Sequence, residues 1–338
     1  MGSRRGLLTA GIALAVLLPA CAGGLGGRSG GTTLRATTPG VTRTGSAPAP
    51  HPSSPRPSRT RFIDVPYANA SPAERLDVYL PREGIPPFPV VMYVHGGAWM
   101  TGDKAAPEYL SGIPLVTSRG YAVVSINYRL TPEAIFPAQI QDVKAAVRWI
   151  RANGATYGLD PDRIAAWGDS SGGHLVAILG TSTGVARFDD PSLGNPGVSS
   201  AVQAVIDWYG PVDFLTMDRQ LSRNHDVEPA ERHDAAGSAE SRLVGAPIRT
   251  VPGRVRAANP VAYLTKRRDV PPFLIEHGDL DAVVPFQQSV ALFHALVRHG
   301  GPDAAELHIV KGSGHWMDFD AASQVPVALA FLDRTLGE

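Results

Sequence analysis

From Phe62 onward, short apolar runs alternate with longer amphipathic ones. Apolar, β-branched stretches at 75–80, 90–94, 122–127, 164–167, 202–208, 273–276 and 307–310 read as strands. Between and after them, 138–152, 173–181, 286–299 and 321–336 read as helices. In the first of these, Ile140, Val143, Val147 and Ile150 recur at helical spacing and define one apolar stripe. Strands alternating with helices predict an α/β domain with a mostly parallel sheet and helices on both faces. One stretch, 214–266, breaks the alternation; it is polar and rich in Arg, Asp and Glu.

Four places where a strand pattern ends carry chemistry. The run Arg163-Ile164-Ala165-Ala166-Trp167 leads into Gly168-Asp169-Ser170-Ser171-Gly172 and then a helical pattern. G-x-S-x-G between strand and helix is the setting of a nucleophile elbow, in which a tight turn lifts the serine clear of the sheet. Small residues beside it let strand and helix approach closely. Ser170 is therefore the candidate nucleophile. The 90–94 strand ends in His95-Gly96-Gly97-Ala98-Trp99, which resembles a loop that offers backbone N–H groups to an oxyanion. The 273–276 strand ends in a loop holding Asp279 and Asp281. The 307–310 strand runs into Lys311-Gly312-Ser313-Gly314-His315. These supply, in the chain order Ser, acid, His, the parts of a hydrolytic triad. An imidazole titrates near ~6.5, which suits His315 to proton exchange at neutral pH. Either aspartate could orient it.

With these motifs in place, the chain over 62–338 resembles the α/β-hydrolase superfamily. Within it, the similarity is to the acetyl-esterase/carboxylesterase group related to hormone-sensitive lipase and to bacterial feruloyl and acetyl-xylan esterases. Further shared features are Ser125-Ile126-Asn127-Tyr128-Arg129-Leu130, Phe136-Pro137-Ala138 and Trp208-Tyr209-Gly210-Pro211. The resemblance implies an α/β-hydrolase fold and ester hydrolysis through a serine acyl-enzyme, with no metal or organic cofactor. The family pattern H-G-x-x-D-x-x-V-P falls on His277 to Pro285 and maps the acid to Asp281, leaving Asp279 as a turn-former or supporting hydrogen-bonding group. The oxyanion donors map to the amides of Gly97, Ala98 and Ser171. Ala98 replaces the usual third glycine of the loop and Ser171 the usual alanine of the elbow; neither change removes a backbone N–H. On this scaffold an insertion at 214–266 implies a small lid over the site. Trp99 is either a pocket-lining residue or core filling. His95 is expected to brace its own loop, and His174 to pack.

Charge and composition narrow the class. The net charge is zero, which points away from nucleic acid as a partner. Its distribution is uneven: residues 1–61 hold eight Arg and no acid, and the remainder holds 23 basic and 31 acidic residues. Metal-capable groups around His225 and in Arg232-His233-Asp234 lack a ligand spacing and read as a solvated charge run.

The leader is more specific. Arg4 and Arg5 precede an apolar stretch at 7–18, too short to span a membrane comfortably. Leu18-Pro19-Ala20-Cys21 then resembles a lipobox, which would make Cys21, the chain's one cysteine, the lipid-bearing first residue after processing of 1–21. The rivals are cleavage after Ala22 and an uncleaved anchor; all three imply export, as a membrane lipoprotein or a secreted enzyme. Residues 22–60 are two-thirds Gly, Pro, Ser and Thr, too little apolar surface to offset ordering entropy, so they read as a disordered tether to a catalytic domain at 61–338.

The sequence thus favours a serine carboxylesterase acting on small-molecule esters, with short acyl groups. Two other readings stay open: an amidase or formamidase using the same triad, and a catalytically silent binding protein on the same fold.

Overall fold

The computed structural model describes residues 59–105, 112–265, 269–316, 319 and 321–337. Cys21 and the leader lie outside the described residues, as does the tether apart from Arg59 and Thr60. Eight strands among the described residues form one sheet: β1 (Arg61–Pro66), β2 (Arg75–Tyr79), β3 (Phe88–Val94), β4 (Ala122–Ile126), β5 (Leu159–Asp169), β6 (Ala204–Trp208), β7 (Phe273–Gly278) and β8 (Ala305–Val310). Their spatial order is β1-β2-β4-β3-β5-β6-β7-β8. The first two pairings are antiparallel and every later one is parallel. This is the α/β-hydrolase architecture that the sequence predicts.

The helices are α1 (Ile113–Ser118), α2 (Ala138–Tyr157), α3 (Ser171–Thr181), α4 (Met217–Leu221), α5 (Ala239–Val244), α6 (Pro252–Ala257), α7 (Gln287–Gly300) and α8 (Ala321–Leu336). Period-2 alternation along the strands divides the core between two faces. Val90, Met92 and Val94 of β3 point to the side covered by α2, α3 and α7. Val91 and Tyr93 point to the side covered by α1 and α8. The parallel strands are buried on both faces, which is why they read as nearly continuous apolar runs.

Three departures from the sequence pattern have simple causes. β1 carries no apolar alternation, because it is an exposed edge strand interrupted by a bulge between Phe62 and Val65. α1 is too short for its periodicity to register. α2 runs beyond 152 to Tyr157, continuing through Gly154, where a Cβ would sit 2.8 Å from the Leu159 carbonyl oxygen. The helix stops at Gly158, which is left-handed at φ 70°.

The insertion at 214–265 is a run of short helical turns, α4 to α6 among them, and not an open polar loop. Phe214, Met217, Leu243, Val244, Ile248 and Val255 are buried in the core on the α3 side. Phe136 N–H donates to the Leu243 carbonyl at 2.8 Å, and His174 Nε2 lies 2.7 Å from the Ala258 carbonyl oxygen.

The opposite face holds a buried acid. Glu276 of β7 is fully buried, and its Oε2 accepts the Trp208 indole N–H at 2.6 Å. Burial pushes its carboxyl from 4.5 up to about 8, against the pull of the Trp208 hydrogen bond. The folded state therefore holds a proton that the unfolded chain releases. That contribution to stability is complete below about 4.5 and is lost as pH rises through about 8. Glu276→Gln is expected to flatten the decline in urea-unfolding free energy between those pH values. Parallel pH profiles for variant and wild type would contradict this.

Candidate active site

The elbow is built by crowding. Ser170 sits between the end of β5 and the start of α3 with φ 52° and ψ −119°, a conformation rarely populated by a residue with a side chain. A Cβ on Gly172 would lie 2.0 Å from the Val94 carbonyl oxygen, and one on Gly168 would lie 2.5 Å from the Gly172 backbone. Only glycine fits at either place, which is the physical content of the G-x-S-x-G spacing. Ser170 N–H donates to the Trp208 carbonyl at 2.9 Å, and the Ser170 carbonyl accepts from His174 N–H at 3.0 Å. These bonds fix the turn.

Ser170, His315 and Asp281 meet as the sequence order suggests. His315 Nε2 lies 3.1 Å from Ser170 Oγ, and His315 Nδ1 lies 2.6 Å from Asp281 Oδ2. With its Nδ1 hydrogen directed at the carboxylate, His315 presents a bare Nε2 to the serine hydroxyl. The edge of Tyr209 packs on the His315 ring at 4.7 Å between centroids.

Asp281 is buried and surrounded by donors. Its Oδ1 accepts the amides of Val283 and Val284, each at 2.8 Å. Its Oδ2 is also 3.1 Å from His277 Nε2. That nitrogen also lies 2.8 Å from the Val284 carbonyl oxygen, so it carries the ring proton, and His277 Nδ1 faces the Ser289 hydroxyl at 2.7 Å. Burial pushes the Asp281 carboxyl up. The charge of His315 and the bonds from His277 and His315 outweigh it and hold the group well below the usual carboxylate range. Asp279 has different partners: its Oδ1 accepts Gly312 N–H at 2.6 Å, tying the aspartate loop to the loop that carries His315.

The glycine-rich loop hangs from the elbow. Asp169 Oδ1 accepts both the Tyr93 hydroxyl at 2.5 Å and the Gly96 amide at 3.1 Å. The loop then turns through Gly97 at φ 110° and Ala98 at φ 55°. Met100 and Thr101 amides close it on the Gly97 carbonyl, each at 3.0 Å. Gly97, Ala98, Ser170 and His315 share the wall of one mostly apolar cavity of about 390 Å³. Ser171 opens α3, where a helix leaves its first amides without intrahelical acceptors. Trp316, about half exposed and next to His315, stands at the cavity wall.

Several side chains take places that the sequence leaves open or assigns differently. Trp99 is core filling: it is buried against His174 and Phe214. His95 braces its loop, with Nδ1 2.8 Å from the Gly96 carbonyl oxygen and its ring stacked on Tyr128. His174 is buried, and burial lowers its pKa to about 4. Tyr93, Asp169 and His277 support the site but go unassigned in the sequence reading; Asp169 and His277 lie inside motifs whose local spacing says nothing of their distant partners. No residue of the insertion lines the cavity among the described residues. Nor is its charge run fully solvated, since His233 and Glu240 are buried. Together with exposed Glu231 they bring one metal-capable atom each within 4.8 Å of one another. The hydrogen bond between His233 and Glu240 accounts for the closeness of those two.

Comparison with known proteins agrees with this geometry. The BD-FAE family profile matches residues 76–296. Esterase LipQ of Mycobacterium tuberculosis is 34% identical over 81% of this chain and 60% of its own length. Esterase LipC of the same organism is 33% identical over 77% of this chain and 61% of its own. The chain thus spans about three-fifths of the curated relatives that it matches. A solved structure described as a truncated form of a carbohydrate esterase from gut microbiota is 36% identical, with a TM-score of 0.72, and the match covers 83% of this chain and 97% of that one. The fold, the hydrogen-bonded Ser170–His315–Asp281 line and the matched segment lead to one conclusion: the chain belongs to the BD-FAE family of α/β-hydrolase esterases.

Proposed function

We propose that this protein is a serine carboxylesterase that cleaves esters of short acyl groups. One observation carries the reading: the continuous hydrogen-bonded line from Asp281 through His315 to Ser170, ending at a cavity wall shared with Gly97 and Ala98. Ser170 Oγ attacks the ester carbonyl as His315 Nε2 takes its proton. Asp281, held ionised, stabilises the imidazolium. The amides of Gly97, Ala98 and Ser171 receive the oxyanion, each donor contributing about 3–4 kcal/mol. Collapse breaks the C–O bond to the alcohol, which leaves with the proton from His315. Water then gives a proton to His315 and attacks the acyl-Ser170 carbonyl, and the second collapse returns that proton to Ser170 and releases the acid.

The size and apolar wall of the cavity support a short acyl group. The leaving alcohol must lie on the His315 side, where the partly exposed Trp316 lines the cavity. A sugar hydroxyl is the leaving group proposed there, with the sugar ring against Trp316, in keeping with the carbohydrate esterase among the similar structures. Nitrophenyl and sugar esters of increasing acyl length test the reading. Ser170→Ala is expected to lower kcat by about 10⁶-fold and Asp281→Asn by about 10⁴-fold, with the wild type best on the shortest acyl chains. Wild-type rates in the Ser170 variant, or an optimum on long chains, would count against it.

We further propose export and anchoring through a lipid on Cys21, with 22–60 as the tether. The basic, apolar and lipobox-like order of residues 1–21 supports this. In cells fed an alkyne fatty acid, label is expected on the wild type and absent from Cys21→Ala. An unlabelled wild type beginning at Gly23 would favour simple secretion.

A further inference from the structure

The polar insertion touches the loop that carries Asp281. Ala230 N–H donates to the Ala282 carbonyl at 2.9 Å. His233 Nε2 lies 2.8 Å from the Val283 carbonyl oxygen. At the other edge of the ring, His233 Nδ1 lies 2.8 Å from Glu240 Oε1. Both side chains are almost fully buried, at 1% and 3% exposure. Between the Glu240 carboxyl and the Val283 carbonyl, the ring fills both bonds either as an imidazolium facing a carboxylate or as a neutral imidazole accepting from a protonated Glu240; in both cases Nε2 carries a hydrogen directed at Val283. His233 and Glu240 are therefore a hydrogen-bonded titratable pair inside the protein.

Such a pair is costly to bury unless its geometry is well satisfied, and here it is anchored at each end. Asp218 accepts the backbone amides of His233 at 2.8 Å and of Asp234 at 3.0 Å. Glu240 stands in the first turn of α5, whose N-cap Ser238 accepts the Ser241 amide at 3.1 Å. Burial alone would lower the pKa of His233. The bond and charge of Glu240, the charge of exposed Glu231 and the Val283 carbonyl raise it instead.

Beyond the Val283 carbonyl lies the acid. The Val283 amide donates to Asp281 Oδ1, so this residue is held on one side by His233 and on the other by Asp281. We propose that His233 and Glu240 are positioning residues that hold the Val283 peptide in place, so that Asp281 stays in register with His315. The proposal rests on the esterase reading for its kinetic consequence and on the hydrogen-bond geometry alone for its structural one. It gives the insertion a role as a strut beneath the acid loop.

The test uses three forms of the full chain. His233→Leu removes both bonds with an apolar side chain of similar volume. The double variant His233→Gln with Glu240→Gln restores them without charge. The side-chain NH₂ introduced at position 233 donates to the Val283 carbonyl, and the side-chain oxygen introduced there accepts from the new amide at position 240. Active sites are counted with a fluorophosphonate, so that an unfolded fraction does not register as slow turnover. Per labelled site, kcat of His233→Leu is expected to fall by about 10–100-fold with KM unchanged within about twofold, as a misplacement of about 1 Å would produce. The double variant is expected to return within about threefold of wild type. The downfield proton resonance of the His315 Nδ1–H, read in Ser170→Ala so that it does not depend on turnover, should broaden or shift upfield on adding His233→Leu. Unchanged kcat per site, or an unchanged resonance, would overturn the proposal. Absence of turnover in the wild type would instead count against the esterase reading and leave the resonance to decide the strut.

Discussion

The site depends on a turn with almost no room in it. β5 and α3 approach so closely around Ser170 that Gly168 and Gly172 have no space for a Cβ. That closeness holds Ser170 at positive φ, a conformation that costs about 1–3 kcal/mol when the surroundings enforce it. The same turn sets everything near it. Asp169, one residue before, hooks the Gly96 amide and the Tyr93 hydroxyl and so fixes the glycine loop. Ser171, one residue after, begins α3, whose first amides have no intrahelical acceptor. One backbone feature thus orients a hydroxyl, a loop and a helix start together.

Electrostatics supply the second constraint. A carboxylate as buried as Asp281 would ordinarily take up a proton. Two amides, His277 and His315 offset that tendency, so the group stays charged. Each donor is itself held. His277 is fixed by Ser289 and the Val284 carbonyl, and the Val283 peptide by His233. Glu276, only five residues before Asp281 in the chain, shows the contrasting outcome: with one donor and deep burial, its pKa rises to about 8. Two acids in one connected segment differ because their donors differ.

Much of this was legible in the sequence wherever a backbone requirement leaves a residue-type signature. The glycines around Ser170 are such a signature, as are the apolar parallel strands and the position of His315 after a strand and a glycine-rich turn. The spacing of His277, Asp281 and Pro285 separated Asp281 from Asp279 only through a family pattern; the geometry gives the reason, since Asp279 faces Gly312 and Asp281 faces His315. Features settled by distant contacts were not legible. Trp99 follows the glycine loop in sequence yet turns into the core. β1 lacks alternation because the sheet edge does not demand it. His233 and Glu240 look like solvated charges because a pairing across seven residues inside an irregular segment has no periodicity to reveal it.

The central claim is that the strained serine is the nucleophile. The most direct measurement is intact-mass and peptide mapping after brief exposure to a fluorophosphonate, with the native fold maintained throughout. The account predicts a single adduct per chain, carried by the peptide containing Ser170. An adduct on another residue, or a native protein that takes up none, would contradict it.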